Sequence, residues 1–250
     1  MLNEVLPISP LPFDIAGQLQ PVDEFYVCTR FTSDVVGAPI AKIGEDVFYR
    51  FMNYIYLPQP PESLSLEQVK RICDLRLENF DKLVDREINS YVVDTITRCI
   101  AAKFPDATPP VKTLDFGCGS GLSTQLLLDH LPELDIVGVD ISEKAIDLYK
   151  EQKINAICTF PGEPLPFVSA TFDLIVAVFV MHFNIDTPTL IELRRILRPE
   201  GLFVFNVYQR DTDGLTEQLE EAGFCCTEVW ERLSKIGNSH VVMSCRVSPS

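Results

Sequence analysis

From about residue 111 onward, short apolar runs of strand length alternate with amphipathic stretches of helical period. The runs 113–116, 135–139, 156–159, 174–179, 201–207, 226–234 and 240–247 read as strands. Between them, 121–131, 143–151, 189–197 and 212–222 read as helices. Such alternation predicts βαβ units, and so a mostly parallel sheet with helices on both faces. The last two strands have no helix between them. They join across Ile236-Gly237-Asn238, which predicts an antiparallel hairpin at one edge.

Upstream the pattern differs. Eight of the 18 prolines and four of the seven tyrosines (Tyr26, Tyr49, Tyr54 and Tyr56) fall within the first 61 residues. This predicts a stiff, irregular, aromatic segment. Ser65 to Gln68 forms a capping-box pattern, S-x-x-Q, ahead of a helical run through Val69, Ile72, Cys73 and Leu75. A second helix is predicted over 88–103, with Val92, Val93, Ile96, Ile100 and Ala101 on one face. Pro105, Pro109 and Pro110 end it. The expected organisation is therefore a mainly helical and irregular cap, residues 1–108, on an α/β core, residues 109–250.

Composition narrows the function. The chain has 250 residues, 46% of them hydrophobic, which suits one α/β domain with an added layer and excludes global disorder. The longest apolar run, starting at Leu174, is strand length and far short of the roughly 20 residues of a spanning helix. Acids outnumber bases by 36 to 21, for a net charge of −15, which disfavours a polyanionic partner such as DNA or RNA. Arg194, Arg195 and Arg198 read as cations at a helix C-terminus rather than as a basic stripe. The eight cysteines include no CxxC pair and no zinc spacing, so no metal is expected. Residues 1–12 lack the basic start and apolar stretch of a signal peptide. Reduced thiols in the cytoplasm are the expectation.

The chemistry concentrates in Leu114-Asp115-Phe116-Gly117-Cys118-Gly119-Ser120-Gly121. A buried strand runs into a glycine-rich turn and a helix starts at once, an arrangement that places cofactors at the carboxyl ends of parallel strands. A nicotinamide or flavin fingerprint, G-x-G-x-x-G, needs glycine at 122, where the chain has Leu122. The pattern is instead D-x-G-x-G-x-G. The next strand ends in Asp140, 19 residues past Gly121, where a carboxylate can accept from both hydroxyls of a ribose. Ser142 competes with Asp140 for the role of helix cap.

With Leu165-Pro166-Phe167, Phe172-Asp173-Leu174-Ile175-Val176 and the L-R-R-I-L-R-P-E-G run over 193–201, these motifs resemble the class I S-adenosylmethionine-dependent methyltransferases over roughly residues 111–247. The resemblance implies a Rossmann-like seven-stranded sheet of order 3-2-1-4-5-7-6. It implies that Asp115, Gly117, Cys118 and Gly119 line the methionine end of the cofactor. By the same resemblance Asp140 holds the ribose, Ile141 packs on the adenine, and Val178 and Phe179 pass beneath the sulfonium. Cys118 is then a small residue in a tight loop, not a nucleophile. Relatives usually carry an acid for the adenine amino group where this chain has Pro161, so Gly162 or a neighbour such as Glu163 must serve there.

Methyl transfer needs alignment of acceptor, methyl and sulfur, and a base only where the acceptor holds its proton. His182, after the fourth strand, is the candidate base, whereas His130 and His240 look structural. Tyr26, Tyr54 and Tyr56, with Phe179, are the candidate acceptor contacts, the tyrosines either as part of an aromatic lid or as anchors of the N-terminal segment on the core. A lid that excludes water suits a small organic acceptor, and the expectation is methyl transfer to one, O-methylation slightly ahead of N or C, with S-adenosylhomocysteine as product. Methylation of a protein or peptide, and a non-methylating module of the same fold, stay open. No nucleic-acid or membrane partner is expected, and the chain is taken as a monomer or homodimer.

Overall fold

A computed structural model describes residues 19–22, 25–28, 36–43, 45–51, 54–57, 64–77, 86–105, 110–160, 162–183, 185–208, 212–233 and 239–248. The chain divides into two compact units, Met1–Arg86 and Glu87–Ser250. The helix predicted over 88–103 thus belongs to the second unit.

The first unit holds strands β1 (Leu19–Val22), β2 (Phe25–Cys28), β3 (Val36–Ile43), β4 (Asp46–Phe51) and β5 (Tyr54–Tyr56). They form a five-stranded sheet in chain order, each strand antiparallel to the next. Helix α1 (Leu66–Leu77) follows. A mainly helical layer was expected here, and the described part is mainly sheet. The aromatic and β-branched residues that looked irregular suit a pleated surface. A bulge between Pro39 and Ala41 accommodates the proline, which has no N–H for the ladder. The capping box does form: Gln68 N donates to Ser65 Oγ at 3.3 Å, and Ser65 N to Gln68 Oε1 at 2.9 Å. The Gln68 amide nitrogen also donates to both carboxylate oxygens of Asp46, tying α1 to the start of β4.

The second unit opens with α2 (Arg86–Lys103). The sheet strands are β6 (Val111–Phe116), β7 (Leu134–Asp140), β8 (Asn155–Cys158), β9 (Phe172–Ala177), β10 (Leu197–Tyr208), β11 (Phe224–Leu233) and β12 (Ser239–Val247). Their spatial order is β11-β12-β10-β9-β6-β7-β8. Numbered within this sheet, that is 3-2-1-4-5-7-6, the expected order. The pairs among β8, β7, β6, β9 and β10 are parallel, and β12 is antiparallel to both β10 and β11. The connecting helices are α3 (Leu122–His130), α4 (Glu143–Glu151), α5 (Thr187–Ile196) and α6 (Thr212–Glu221).

Strand period decides the two cores. Ile175, Ala177, Phe203, Phe205 and Val207 pack with Leu190 and Leu193 of α5 and Leu215 and Leu219 of α6. Their neighbours Leu174, Val176, Leu202 and Val204 pack on the other face with Val92, Ile96 and Ile100 of α2 and Leu127 of α3. Central strands buried on both faces read as continuous apolar runs, as β9 and β10 do.

The three arginines are occupied. The Arg195 guanidinium donates to Glu192 Oε1 and Oε2, to Phe167 O at 2.8 Å and to Leu165 O at 3.1 Å. Glu192 in turn accepts from Leu165 N. The pair clamps the Leu165-Pro166-Phe167 turn onto α5 through charge-assisted bonds. Arg198 pairs with Asp173, and the Arg194 side chain packs on Gly223.

Candidate active site

The glycine loop 117–121 closes the carboxyl end of β6. Gly117, Gly119 and Gly121 have φ of +73°, +53° and +85°, a region that costs residues with a Cβ about 1 kcal/mol or more. Gly117 N and Cys118 N both donate to Val139 O, at 2.8 and 3.0 Å, so the loop is sewn to the end of β7. A Cβ at Gly117 would lie 2.4 Å from Val180 Cγ2, and one at Gly121 would meet the Gln152 amide and the Tyr149 ring. At Gly119 nothing lies within 4 Å. Gly117→Ala should therefore destabilise the protein by about 2 kcal/mol, and Gly119→Ala by about half as much. Urea unfolding of the two variants checks this order, and equal losses would contradict it.

Asp140 ends β7. Its Oδ2 accepts from Gly119 N at 2.9 Å and its Oδ1 from Ser142 N at 2.8 Å. Ser142 takes the cap of α4, its Oγ accepting from Ala145 N. Asp140 is thus held between loop and helix, half-buried and at the strand end. A carboxylate offers about four acceptor lone-pair sites, so two backbone donors do not exhaust its capacity. A held carboxylate beside a glycine with open space is a fitting cradle for a ribose.

Asp115 lies beneath the loop, 2% exposed. Its Oδ2 accepts a short hydrogen bond from Thr124 Oγ1, which also lies 3.0 Å from Tyr149 Oη. Burial pushes its carboxyl up to about 7; the Thr124 hydrogen bond opposes the rise and Asp140 adds to it. Cys118 is also buried, with its sulfur beside Gly138. Desolvation, with Asp115 and Asp140 nearby, pushes its thiol far up, which is the opposite of an activated nucleophile.

After β9 the backbone turns sharply. The apolar pattern predicted a strand to 179, but it ends at Ala177, because Phe179 has φ of +58°. Asn206 Oδ1 receives Phe179 N at 2.6 Å and holds that conformation. Asn206 is wholly buried on β10, and among the described residues its Nδ2 has no hydrogen-bond partner. The sequence reading passed over Asn206, although a lone polar residue within Leu202-Phe203-Val204-Phe205-Asn206-Val207 was a usable signal. It also passed over Thr124, Tyr149 and Gln152.

Val178 is buried in the α2-side core, and Phe179 packs against that core. His182 is 5% exposed, its ring 4.2 Å from that of Phe183. Ile141 is half-buried beside Asp140, and Gly162 is exposed with φ of +81°. Pro161 lies outside the described residues. Tyr26, Tyr54 and Tyr56 have backbones in β2 and β5, and Tyr49 in β4, but their side chains lie outside the described residues. His130 is at the end of α3, its Nε2 3.5 Å from Asp94. Only the backbone of His240 is described, on β12. Among the described residues, no group of three or more His, Cys, Asp or Glu could hold a metal, and no helix is long and apolar enough to cross a membrane.

Residues 114–205 match the family described as "Methyltransferase domain". The chain is 30% identical over 119 residues to a malonyl-[acyl-carrier protein] O-methyltransferase of Herminiimonas arsenicoxydans, covering 48% of this chain and 44% of that protein. It is 35% identical over 135 residues to the mitochondrial arginine-hydroxylase NDUFAF5 of Mus musculus, covering 53% of this chain and 37% of that one. The chain thus spans less than half the length of these two relatives. The structure superposes on the trans-methyltransferase CalH, solved in complex with S-adenosylhomocysteine, with a TM-score of 0.57 at 16% identity, over 70% of this chain and 63% of that one. Residues 114–205 thus carry the match to a methyltransferase domain, and the sheet order, the glycine loop and Asp140 accord with the fold of the class I S-adenosylmethionine-dependent methyltransferases.

Proposed function

We propose that the protein transfers the methyl group of S-adenosylmethionine to a small organic acceptor, with an oxygen favoured over nitrogen or carbon. The observation that supports the cofactor part of this reading is the Asp140 carboxylate bridging Gly119 N and Ser142 N at the carboxyl end of the sheet, beside the open space at Gly119. When bound, S-adenosylmethionine supplies a methyl already activated on a sulfonium. The chain's own task is then to bind, orient and exclude water. In this reading Asp140 accepts from the ribose hydroxyls, while Gly117, Cys118 and Gly119 present backbone to the methionine end over Asp115. Ile141 and Gly162 border the adenine. Val178 and Phe179, with the turn held by Asn206, form the floor on the acceptor side.

His182 is proposed as the base for an acceptor that holds its proton at neutral pH. His182→Ala should lower turnover at least about tenfold and leave S-adenosylhomocysteine binding intact; unchanged turnover removes that role. Tyr26, Tyr54 and Tyr56 are proposed as acceptor contacts. The protein is proposed to work in the cytoplasm.

The deciding experiment is incubation with methyl-labelled cofactor and a fractionated metabolite extract, followed by identification of the labelled product. Label in a small molecule supports the reading, and label in protein favours peptide methylation. A second reading, cofactor binding without methyl transfer, draws on the likeness to a relative named as an arginine hydroxylase. Binding of the cofactor with no label transferred to any fraction would favour it.

A further inference from the structure

Cys226 and Cys245 stand directly opposite each other in the antiparallel pairing of β11 with β12, and their sulfurs are 2.6 Å apart. Both residues are free thiols in the structure. Residues paired across an antiparallel ladder point to the same face, and their Cα separation falls within the span that a disulfide bridges. The register shifts immediately after Cys226, between it and Glu228, so the extra residue lies to one side of the pair.

The surroundings distinguish the two thiols. Cys245 is wholly buried in the core shared with Leu215, Leu219 and Phe224. Cys226 is partly exposed at the margin of the same cluster, where Thr216 and Glu220 of α6 approach it. Hydrogen bonding from Cys245 is the main influence on the Cys226 thiol and holds it below its ordinary value; Thr216 acts in the same sense, while burial and Glu220 oppose it. The Cys245 thiol is pushed far up, chiefly by the same hydrogen bond and by burial. The accessible thiol is thus the better nucleophile, and the buried one is placed to resolve what forms on it. Nothing in methyl transfer uses either residue.

We propose that Cys226 and Cys245 are a dithiol oxidation site, converted by a peroxide to a reversible disulfide that staples the edge strand β11 to β12. The Cys226 thiolate attacks one peroxide oxygen, and the O–O bond breaks with loss of water to leave a sulfenic acid. The Cys245 sulfur then displaces the sulfenic oxygen, the S–S bond forms and a second water leaves. Two thiols are oxidised by two electrons, and one peroxide is reduced to two waters.

The test is treatment of the reduced full chain with hydrogen peroxide, alkylation of remaining thiols and peptide mass analysis. Trypsin places Cys225 and Cys226 in residues 211–232 and Cys245 in residues 236–246. The expected result is a cross-link of these two peptides, 2 Da below their sum, reversed by dithiothreitol. Cys225→Ser should form it equally well, and Cys226→Ala and Cys245→Ala should not. Oxidation should raise the thermal midpoint by about 5–10 °C, as for a disulfide closing a short loop in a chain of this size. A cross-link lost in Cys225→Ser, or oxidation of the wild type that ends in sulfinic acid without a cross-link, would overturn the proposal. The Cys225→Ser arm leaves the pair and its packing untouched, so it decides the matter even where an alanine variant folds poorly.

Discussion

Asp140→Ala should weaken binding of S-adenosylhomocysteine about 100-fold, as read by titration calorimetry. Two effects combine. The variant loses a charged acceptor for ribose hydroxyls, and hydrogen bonds to charged groups contribute about 1.5–3 kcal/mol each. It also releases Gly119 N and Ser142 N, the donors that Asp140 now holds at 2.9 and 2.8 Å. Gly119 then keeps its positive φ with one restraint fewer. Asp140→Asn should fall between the variant and the wild type, because its amide retains one acceptor oxygen and replaces the other with a donor. Helix α4 should be little affected, since Ser142 and not Asp140 caps it. Far-ultraviolet dichroism should therefore match the wild type. Equal affinity of wild type and Asp140→Ala would sink the ribose role, and no binding heat from the wild type would sink the cofactor reading as a whole.

Asp115→Asn should stabilise the protein against urea at pH 8 and make little difference near pH 3.5. The sign follows from the shift. In the folded chain the Asp115 carboxyl titrates at about 7, against an ordinary value of 3.8, chiefly because it is buried. Between those values the folded protein keeps a proton that the unfolded chain has released. Stability from this group is complete below about pH 4, falls as pH rises toward 7, and is level above that. At about 1.36 kcal/mol per unit, the loss over the full window is about 4 kcal/mol. Asparagine imitates the protonated acid and has no proton to lose. Carboxylates remote from Asp115 titrate in both proteins and cancel in the difference between them, while Asp140, which acts on Asp115, contributes to the effect. A difference that does not change between pH 4 and pH 8 would remove Asp115 as its source.

The core sheet was legible because its signals are local. Apolar runs of four to nine residues, separated by amphipathic stretches, dictate the period of each element, and the spacing from Gly121 to Asp140 leaves room for one helix and one strand. At the end of β9 a single backbone conformation moved the edge. Val178 and Phe179 continue the apolar run, but Phe179 turns into the left-handed region because Asn206, 27 residues away, receives its N–H. No pattern around Phe179 reports that bond. The N-terminal unit was read least well. Its aromatic residues are compatible with irregular chain and with strands, and the choice falls to the hairpin pairing of β3 with β4 and of β4 with β5, which residue type alone does not report.

The sequence by itself determined the sheet type, the resemblance to the methyltransferases and the candidate residues of the glycine loop and strand end, because glycine spacing and a strand-terminal acid express backbone requirements that few residues satisfy. Only the tertiary structure decided the state of those residues. It buried Asp115 against the Thr124 hydroxyl, set Asp140 between two backbone donors, and joined Arg195 to the 165–167 turn. It also brought Cys226 and Cys245 face to face, from a list of eight cysteines that spacing had left without a pair. Burial, protonation and contact depend on which distant segments meet, and that follows from packing and not from the order of neighbours along the chain.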